Sequence, residues 1–364
     1  MSPDRDMVTE GSSGGADLTN HRRIRGRGWR TRLRAFLVST LLCLVAAEVT
    51  ARVFWRFSFG VPFRNPGGIL YAFYPELKRV DRERPARDDE FYDVLLLGGS
   101  VLHKDYAPVA QDLREQLTIR GYRNVRVYNL AVPAHTSRDS WLKYAALGEA
   151  RFELVVFYHG INDAKANTVP PELFREDYMH YTWYEIVNTL ASYHGRTSFA
   201  LPYTFHRLAL GMRHAVRKGR YLPPHRPRAD WVQYGKDIRS AGAFRRNLSA
   251  ILDLANQRGD RVLLMTFATY TPDDYSLEGF MEKRLDYVLH DAPLEVWGAR
   301  EHVLAAVAAH NEVVRSLAAQ HEGVLFVDQA TLMPGVRRYF NDACHFTVAG
   351  SSKFVEHLVS GLRF

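Results

Sequence analysis

The chain has 364 residues, of which 46% are apolar, and a formal net charge of +8. This length accommodates one large or two small domains with a sizeable core. Two cysteines exclude a disulfide framework. The basic excess lies in residues 1–34 and 196–239 without the fold context of a nucleic-acid reader, so we expect no nucleic-acid partner.

The chain begins with an arginine-rich lead that is followed by an apolar run. Residues 1–34 lack apolar periodicity, and we expect them to be a disordered cytoplasmic tail. The apolar run starts at Ala35 and continues to Phe57, past Glu48 and Arg52, which stand four residues apart and can pair. A helix from Leu37 to Phe57 spans about 30 Å, which matches a bilayer core. We therefore predict a transmembrane anchor over residues 35–57, with its amino-terminal side in the cytoplasm by the positive-inside rule.

A cleavable signal peptide is the alternative interpretation of the same run. Its cleavage site would be Val45-x-Ala47. The long arginine-rich lead and the apolar continuation past Glu48 favour the retained anchor. Either route places the rest of the chain outside the cytoplasm, so we expect a single-pass protein of the cell (inner) membrane with a periplasmic or other extracytoplasmic domain.

Residues 58–90 contain Pro and Gly and then many charges, and we expect a surface linker there. The following domain, residues 91–364, alternates strand and helix patterns. Strands are predicted at Asp93–Leu97, Val125–Asn129, Leu154–Tyr158, Val262–Phe267 and Val324–Val327. Helices are predicted at Ala107–Arg120, Ser137–Ala150, Ala241–Gln257, Ala299–Gln320 and Thr347–Leu362. This alternation predicts an α/β fold in which helices cover a five-stranded parallel sheet, with the active site at the carboxyl ends of the strands.

Four short polar motifs stand at these element boundaries. They are Gly98-Gly99-Ser100, Asn129-Leu130-Ala131, Gly160-Ile161-Asn162-Asp163 and Asp342-Ala343-Cys344-His345. A serine hydroxyl becomes an effective nucleophile when an imidazole takes its proton and a carboxylate orients that imidazole. His345 and Asp342 can do this for Ser100, so we predict that these three residues form a catalytic triad.

In this order the motifs resemble the signature of the SGNH (GDSL-like) hydrolases, from about Phe91 to the end of the chain. The resemblance implies a three-layer, flavodoxin-like fold. It also implies an oxyanion hole made by the backbone N–H groups of Ser100 and Ala131 and the side-chain amide of Asn162. Two positions depart from the usual pattern: Ala131 stands where the family usually has glycine, and Gly99 stands where it usually has aspartate.

Other site chemistries are less well supported by the residues. Cys344 lies beside His345, and we expect it to pack beneath the loop rather than to act as a nucleophile. No His, Cys or Glu cluster has the spacing of metal ligands, so we expect no metal and no cofactor. The residues after the first strand lack the G-x-G-x-x-G spacing of a nucleotide-binding Rossmann domain.

One segment, residues 164–240, does not belong to the strand–helix alternation. It is rich in aromatic residues, Pro and Arg and leaves directly from the Asn162 loop. Three interpretations stay open: a lid or substrate wall, a helical excursion that packs on the sheet, and a membrane contact through the basic amphipathic stretch Leu201 to Leu222.

The sequence therefore predicts a membrane-anchored serine esterase that acts outside the cytoplasm on an ester, in particular an O-acyl group of an envelope glycan or lipid. An O-acyltransferase for a cell-envelope polysaccharide is the alternative, since water and a sugar hydroxyl would compete for one acyl-enzyme. A catalytically silent envelope scaffold is a further alternative, which the complete Ser100, Asp342 and His345 set disfavours.

Overall fold

The structure is a computed structural model that describes residues 20–87, 89–217 and 219–362. Its strands are β1 (Tyr92–Gly98), β2 (Val125–Asn129), β3 (Leu154–Tyr158), β4 (Val262–Met265) and β5 (Leu325–Val327). They form one sheet in the order β2-β1-β3-β4-β5, and every neighbouring pair is parallel. The predicted five-stranded parallel sheet of a flavodoxin-like α/β fold is confirmed.

The described residues form thirteen α-helices. They are α1 (Asn20–Phe59), α2 (Leu70–Phe73), α3 (Leu77–Glu83), α4 (Val109–Ile119), α5 (Ser137–Ala146), α6 (Ile161–Ala164), α7 (Thr182–Tyr193), α8 (Leu201–Val216), α9 (Ser240–Arg258), α10 (Leu277–Met281), α11 (Arg300–Gln320), α12 (Gln329–Leu332) and α13 (Val348–Ser360). Short 3₁₀ turns lie at Pro66–Ile69, Ser100–Leu102, Lys165–Asn167, Val232–Lys236, Leu294–Val296 and Arg337–Tyr339.

The core lies on both faces of the sheet because successive strand residues point to opposite sides. On one face, Val94 and Leu96 of β1 pack in a cluster with apolar residues of α4 and α13. On the other face, Leu95 and Leu97 pack with residues of α5, α9 and α11. These β1 side chains are fully buried, and each contributes about 1.5–3 kcal/mol through the hydrophobic effect. The carboxyl end of β1, where Ser100 follows, is therefore held on both sides.

The amino-terminal helix starts earlier than the sequence pattern indicates. α1 begins at Asn20, so the prediction of disorder over residues 1–34 is wrong for residues 20–34, while residues 1–19 lie outside the described residues. Arginine favours helices nearly as strongly as leucine, and a helix that the apolar run has nucleated extends easily into such residues. From Gly28 to Phe59 this helix is long and apolar enough to cross a membrane.

Residues 58–90 are not a surface linker, which corrects the expectation from their charges. Within this segment, α2 and α3 pack against the domain, and Leu70, Tyr74, Leu77 and Val80 are fully buried. These apolar residues recur at helical spacing among the charged ones, so one face of each short helix can enter the core while the charges stay outside.

Residues 164–240 fold into two longer helices, α7 and α8, together with connecting turns. α7 packs on α5 and α8, and α8 packs in turn on α1. Residues 164–240 therefore connect the Asn162 loop, which precedes them in the chain, to the amino-terminal helix α1.

Candidate active site

The four predicted motifs meet at the carboxyl edge of the sheet. Ser100 opens the 3₁₀ turn that follows β1, and Asn162 lies in α6 after β3, the strand beside β1. The chain leaves β1 toward β2 on one side and reaches β3 on the other, which is the topological switch point where α/β proteins place their ligands. The loop before α13 brings Asp342 and His345 to the same place.

Ser100, His345 and Asp342 form a continuous hydrogen-bonded relay. His345 Nε2 lies 2.8 Å from Ser100 Oγ, and His345 Nδ1 lies 2.7 Å from Asp342 Oδ2. Asp342 is fully buried, whereas Ser100 retains 6% of its surface exposed. Because the carboxylate accepts the Nδ1–H of a neutral imidazole, Nε2 presents a lone pair to the serine hydroxyl. In this arrangement the imidazole can take the proton of the serine hydroxyl, and Ser100 could then act as a nucleophile.

Backbone donors hold the Asp342 carboxylate in position. Its oxygens accept hydrogen bonds from the N–H groups of Cys344 at 2.9 Å, His345 at 2.9 Å and Ala292 at 3.0 Å. Tyr106 stacks on the imidazole of His345, with ring centroids 4.3 Å apart and an interplanar angle of 20°. The orientation of the base is therefore fixed from the carboxylate side and from one face of the ring.

Cys344 packs beneath this loop. Its thiol is fully buried, and burial together with the nearby Asp342 charge raises the pKa of the thiol well above its usual value. A protonated, inaccessible sulfur is a poor nucleophile. The ligand atoms of Asp342, Cys344 and His345 lie within 4.8 Å of one another, a proximity that follows from the relay itself.

The Asn162 amide is held against the residue that precedes the nucleophile. Its Nδ2 donates to the His135 carbonyl at 2.8 Å, and its Oδ1 accepts from Trp297 Nε1 at 2.8 Å. A Cβ atom added at Gly99 would lie only 2.7 Å from Asn162 Nδ2. His135 accepts one Nδ2 hydrogen, and no acceptor within the described part of the chain binds the other, so the amide keeps one N–H that could bind an oxyanion.

The two backbone N–H groups expected in the oxyanion hole differ in whether they already have an acceptor. Among the described residues the Ser100 N–H has no acceptor. The Ala131 N–H donates to Asn129 Oδ1 at 2.9 Å, and Asn129 Nδ2 donates to the Leu102 carbonyl at 2.6 Å. Asparagine commonly binds its own backbone two residues on, so in this structure the Ala131 N–H is occupied. Asn129 instead ties the end of β2 to the nucleophile turn.

A buried carboxylate anchors the Asn162 loop from below. Asp163 accepts hydrogen bonds from Ser137 N at 3.0 Å, Ser137 Oγ at 2.6 Å and the Tyr178 hydroxyl at 2.9 Å. Burial raises the pKa of this carboxyl to about 6. His310 Nδ1 lies 3.0 Å from the Gly160 carbonyl. The loop that positions Asn162 is therefore bound to α5, to the 164–240 segment and to α11.

Two cavities share His135 and Trp183 in their lining, and Asn162 lines the smaller of them. The smaller, about 290 Å³, is walled mainly by rings, from Tyr181, Trp183, Tyr184 and Trp297. The larger, about 800 Å³, runs along the end of β2 and is lined by residues that include Phe73, Glu76, Arg79, Lys104 and Ala131. The 164–240 segment thus contributes a wall to the site region.

Sequence reasoning missed Trp297, Tyr106 and the steric role of Gly99. Trp297 is 135 positions away from Asn162 along the chain, and no motif marks it. Tyr106 lies near the first motif but carries no signal of its own. These roles depend on long-range packing, and a single sequence does not display that.

Comparison with known proteins gives a likeness of fold only. No protein-family model and no curated protein matches the chain. Similar solved structures include a GDSL-like lipase from Bacteroides thetaiotaomicron, at 13% identity and a TM-score of 0.41, covering 79% of this chain and 97% of that one. The lipase/acylhydrolase from Enterococcus faecalis is 15% identical with a TM-score of 0.38, over 74% and 93% of the two chains. An acetyl xylan esterase is 12% identical with a TM-score of 0.41, over 74% and 100%.

Proposed function

We propose that this chain is a serine esterase of the SGNH (GDSL-like) kind that uses Ser100, His345 and Asp342. The observation that carries the proposal is the buried relay, with 2.8 Å from Ser100 Oγ to His345 Nε2 and 2.7 Å from His345 Nδ1 to Asp342 Oδ2. Asn162 supports it, because its amide lies against Gly99, the residue before Ser100.

The relay accounts for both halves of ester cleavage. Ser100 Oγ attacks the carbonyl carbon while His345 Nε2 takes the hydroxyl proton, and Asp342 stabilises the resulting imidazolium. The negative charge on the carbonyl oxygen is stabilised by the Asn162 amide and the Ser100 N–H. His345 then gives the proton to the leaving alcohol, which leaves acyl-Ser100. Water or another hydroxyl compound then gives its proton to His345 and attacks the acyl carbon. The bond between that carbon and Ser100 Oγ breaks, and His345 returns the proton to Oγ.

We propose an extracytoplasmic O-acyl ester of a glycan or lipid as the substrate. The apolar helix α1 and the arginines on its amino-terminal side support export of the domain. The ring-lined cavity beside Asn162 supports a sugar, because aromatic faces pack well against the apolar faces of pyranose rings.

O-acyl transfer to a glycan hydroxyl is a second candidate for the same residues. The two cavities that share His135 and Trp183 favour it, because a transferase must hold a donor and an acceptor near one nucleophile. Incubation with an acyl donor, with and without sugar oligomers, distinguishes the two: acylated sugar in the mass spectrum indicates transfer, and free acid alone indicates hydrolysis.

The nucleophile is tested with a fluorophosphonate probe and intact-mass analysis. We expect Ser100→Ala to abolish labelling and to lower ester turnover by about 10⁴-fold, since the triad acts as a unit. Ser352→Ala, on an exposed serine of α13, is the matched control and should label like the parent. Labelling that persists in the Ser100 variant would refute the serine mechanism, and a parent protein that neither labels nor turns over esters would favour the silent scaffold.

Topology is tested with reporter fusions. Alkaline phosphatase and a fluorescent protein are fused after residue 89 and at the carboxyl terminus, and we expect phosphatase activity and no fluorescence at both. Full-length mass should be retained if α1 stays as an anchor. A fluorescent carboxyl-terminal fusion would overturn the envelope substrate, whereas a mature protein starting near Glu48 would replace the anchor with a signal peptide.

A further inference from the structure

Helix α8 turns an apolar stripe away from the protein. Phe205, Leu208, Met212 and Val216 are 70%, 64%, 68% and 86% exposed. At about 100° per residue, these four side chains lie within about 80° of one another around the helix. A helix of a soluble domain normally buries its apolar side, so this stripe is suited to contact with an apolar partner outside the protein.

Two basic residues of α8 contact a buried carboxylate of the protein instead. Glu185 of α7 is almost fully buried and accepts hydrogen bonds from Arg213 at 2.9 Å, His214 at 2.6 Å and the Tyr221 hydroxyl at 2.6 Å. Tyr203 and Leu210 are the buried apolar residues on this inner side. Arg213 and His214 thus pair with a buried carboxylate, while the Arg213 side chain stays 46% exposed beside the stripe.

The start of α8 is bound to α1 through polar contacts. The Glu48 carboxylate accepts the N–H groups of Ala200 and Leu201, both at 2.9 Å, and so neutralises the amino terminus of the helix. Trp55 Nε1 donates to Thr204 Oγ1 at 2.9 Å. These contacts hold α8 at the end of the apolar run of α1.

The apolar surfaces of the two helices are continuous. A groove of about 400 Å³ lies between them. Its lining residues are mostly apolar: Ala47, Thr50, Ala51 and Phe54 of α1, and Leu201, Thr204, Arg207 and Leu208 of α8. Phe54 and Leu208 also belong to the exposed apolar surfaces of their helices. A bilayer that surrounds α1 would therefore meet the stripe of α8 at the same level.

We propose that α8 is an interfacial membrane helix, with the stripe Phe205, Leu208, Met212 and Val216 inserted among lipid acyl chains beside α1. The occupant is the bilayer rather than a second copy of the chain, because the stripe continues a surface that is already apolar along the membrane-length helix. This deepens the membrane contact weighed from the sequence, since four outward residues of α8 form one apolar stripe.

The test measures lipid contact residue by residue in the full chain. The protein is reconstituted into vesicles of phosphatidylcholine and phosphatidylglycerol, with or without a spin label on the acyl chains. A fluorescent thiol probe is placed at Leu208→Cys or Met212→Cys in a Cys43→Ser background, where Cys344 is buried and does not react. Native Cys43, exposed on α1, is the positive control, and Ile119→Cys, an exposed apolar position on α4, is the matched negative control.

We expect the spin-labelled lipid to quench the probes at 208 and 212 at least about twofold more than the probe at 119. Quenching at Cys43 but not at 208 and 212 would overturn the proposal and leave the anchor standing. If the probes at Cys43, 208 and 212 all remain unquenched, both the lipid contact of α8 and the membrane anchor α1 would be overturned. Bismaleimide crosslinking of two chains through position 208 without quenching would identify a second copy as the occupant and refute the lipid contact. Unchanged circular dichroism of each variant checks the fold, and the two stripe positions serve as independent replicates.

Discussion

Gly99 is explained at the residue scale by close approach rather than by backbone strain. Its φ of −100° and ψ of −153° are open to any residue. Its missing side chain instead leaves room for the Asn162 amide, whose Nδ2 would lie 2.7 Å from a Cβ atom there. Because two hydrogen bonds, to His135 and from Trp297, hold that amide, it cannot move aside without losing one of them.

Gly99→Ala should therefore lower kcat by about 10- to 100-fold with little change in KM, since the Asn162 amide would be displaced from the oxyanion. Asn162→Ala sets the upper limit, with an expected loss of about 10²–10³-fold in kcat. Gly242→Ala, at an open position in α9, is the matched control and should leave kcat unchanged. Steady-state kinetics on one ester substrate decides. A Gly99 variant altered only in KM would place the glycine in substrate binding instead.

At the scale of elements, the contact between α1 and α8 connects the membrane-length helix to the 164–240 segment. Glu48 and Arg52 pair at 2.6 Å, as the four-residue spacing predicted. The pair also binds the other segment, since Arg52 donates to the Ser198 carbonyl at 2.8 Å. The end of α1 is therefore part of the folded domain.

Glu48→Ala should loosen the start of α8, because two backbone N–H groups lose their acceptor and Arg52 loses its partner. We expect hydrogen exchange at residues 200–210 to accelerate by about tenfold, in line with the loss of a helix cap. Glu83→Ala, which removes a surface pair with Arg79, is the control and should have little effect there. Equal exchange rates in the two variants would show that the Glu48 contacts do not hold α8.

At the scale of the whole molecule, four buried histidines make stability depend on pH. Burial lowers the pKa of His135, His159 and His180 to about 3 and that of His310 to about 4. These values lie below that of an unfolded histidine, so the unfolded chain binds protons first as the pH falls. Their contribution is fully present above about pH 6.5 and is lost progressively as the pH falls to about 4 for His310 and about 3 for the other three. Asp163, whose pKa is raised to about 6, acts in the opposite direction and offsets one of the four.

The free energy of unfolding should fall by about 4 kcal/mol per pH unit between about pH 6 and pH 4. Urea unfolding of the detergent-solubilised protein at a series of pH values measures this slope. His180→Gln should reduce the slope by about 1.4 kcal/mol per unit, while His321→Gln, at a part-exposed position, should leave it unchanged. A slope that does not respond to His180 would mean that this side chain is charged or solvated in the folded protein.

The parallel sheet and the hydrogen-bonded relay of Ser100, His345 and Asp342 are the features that could be predicted from the sequence. β2 and β3 have the predicted bounds because each is a short run of mostly apolar residues, and β3 is buried along its whole length. Gly121, Gly259 and Gly323 follow the predicted helices with positive φ, at helix ends where an L side chain would be strained. Asp342 and His345 are three residues apart, so their pairing is local, and the order of the motifs along parallel strands brings Ser100 to them.

Only the tertiary structure shows which surfaces of the protein pack together and which residues far apart in the sequence come into contact. The charges of residues 58–90 concealed two packed helices, and nothing local connects Trp297 or His135 to Asn162. The Ala131 N–H donates to the side chain of Asn129, and this hydrogen bond depends on the backbone conformation at the end of β2. In α8 the periodicity marks an apolar stripe without indicating the side on which it lies. Burial is a property of the assembled chain, so the buried Glu185 and the groove against α1 determine that the stripe faces outward.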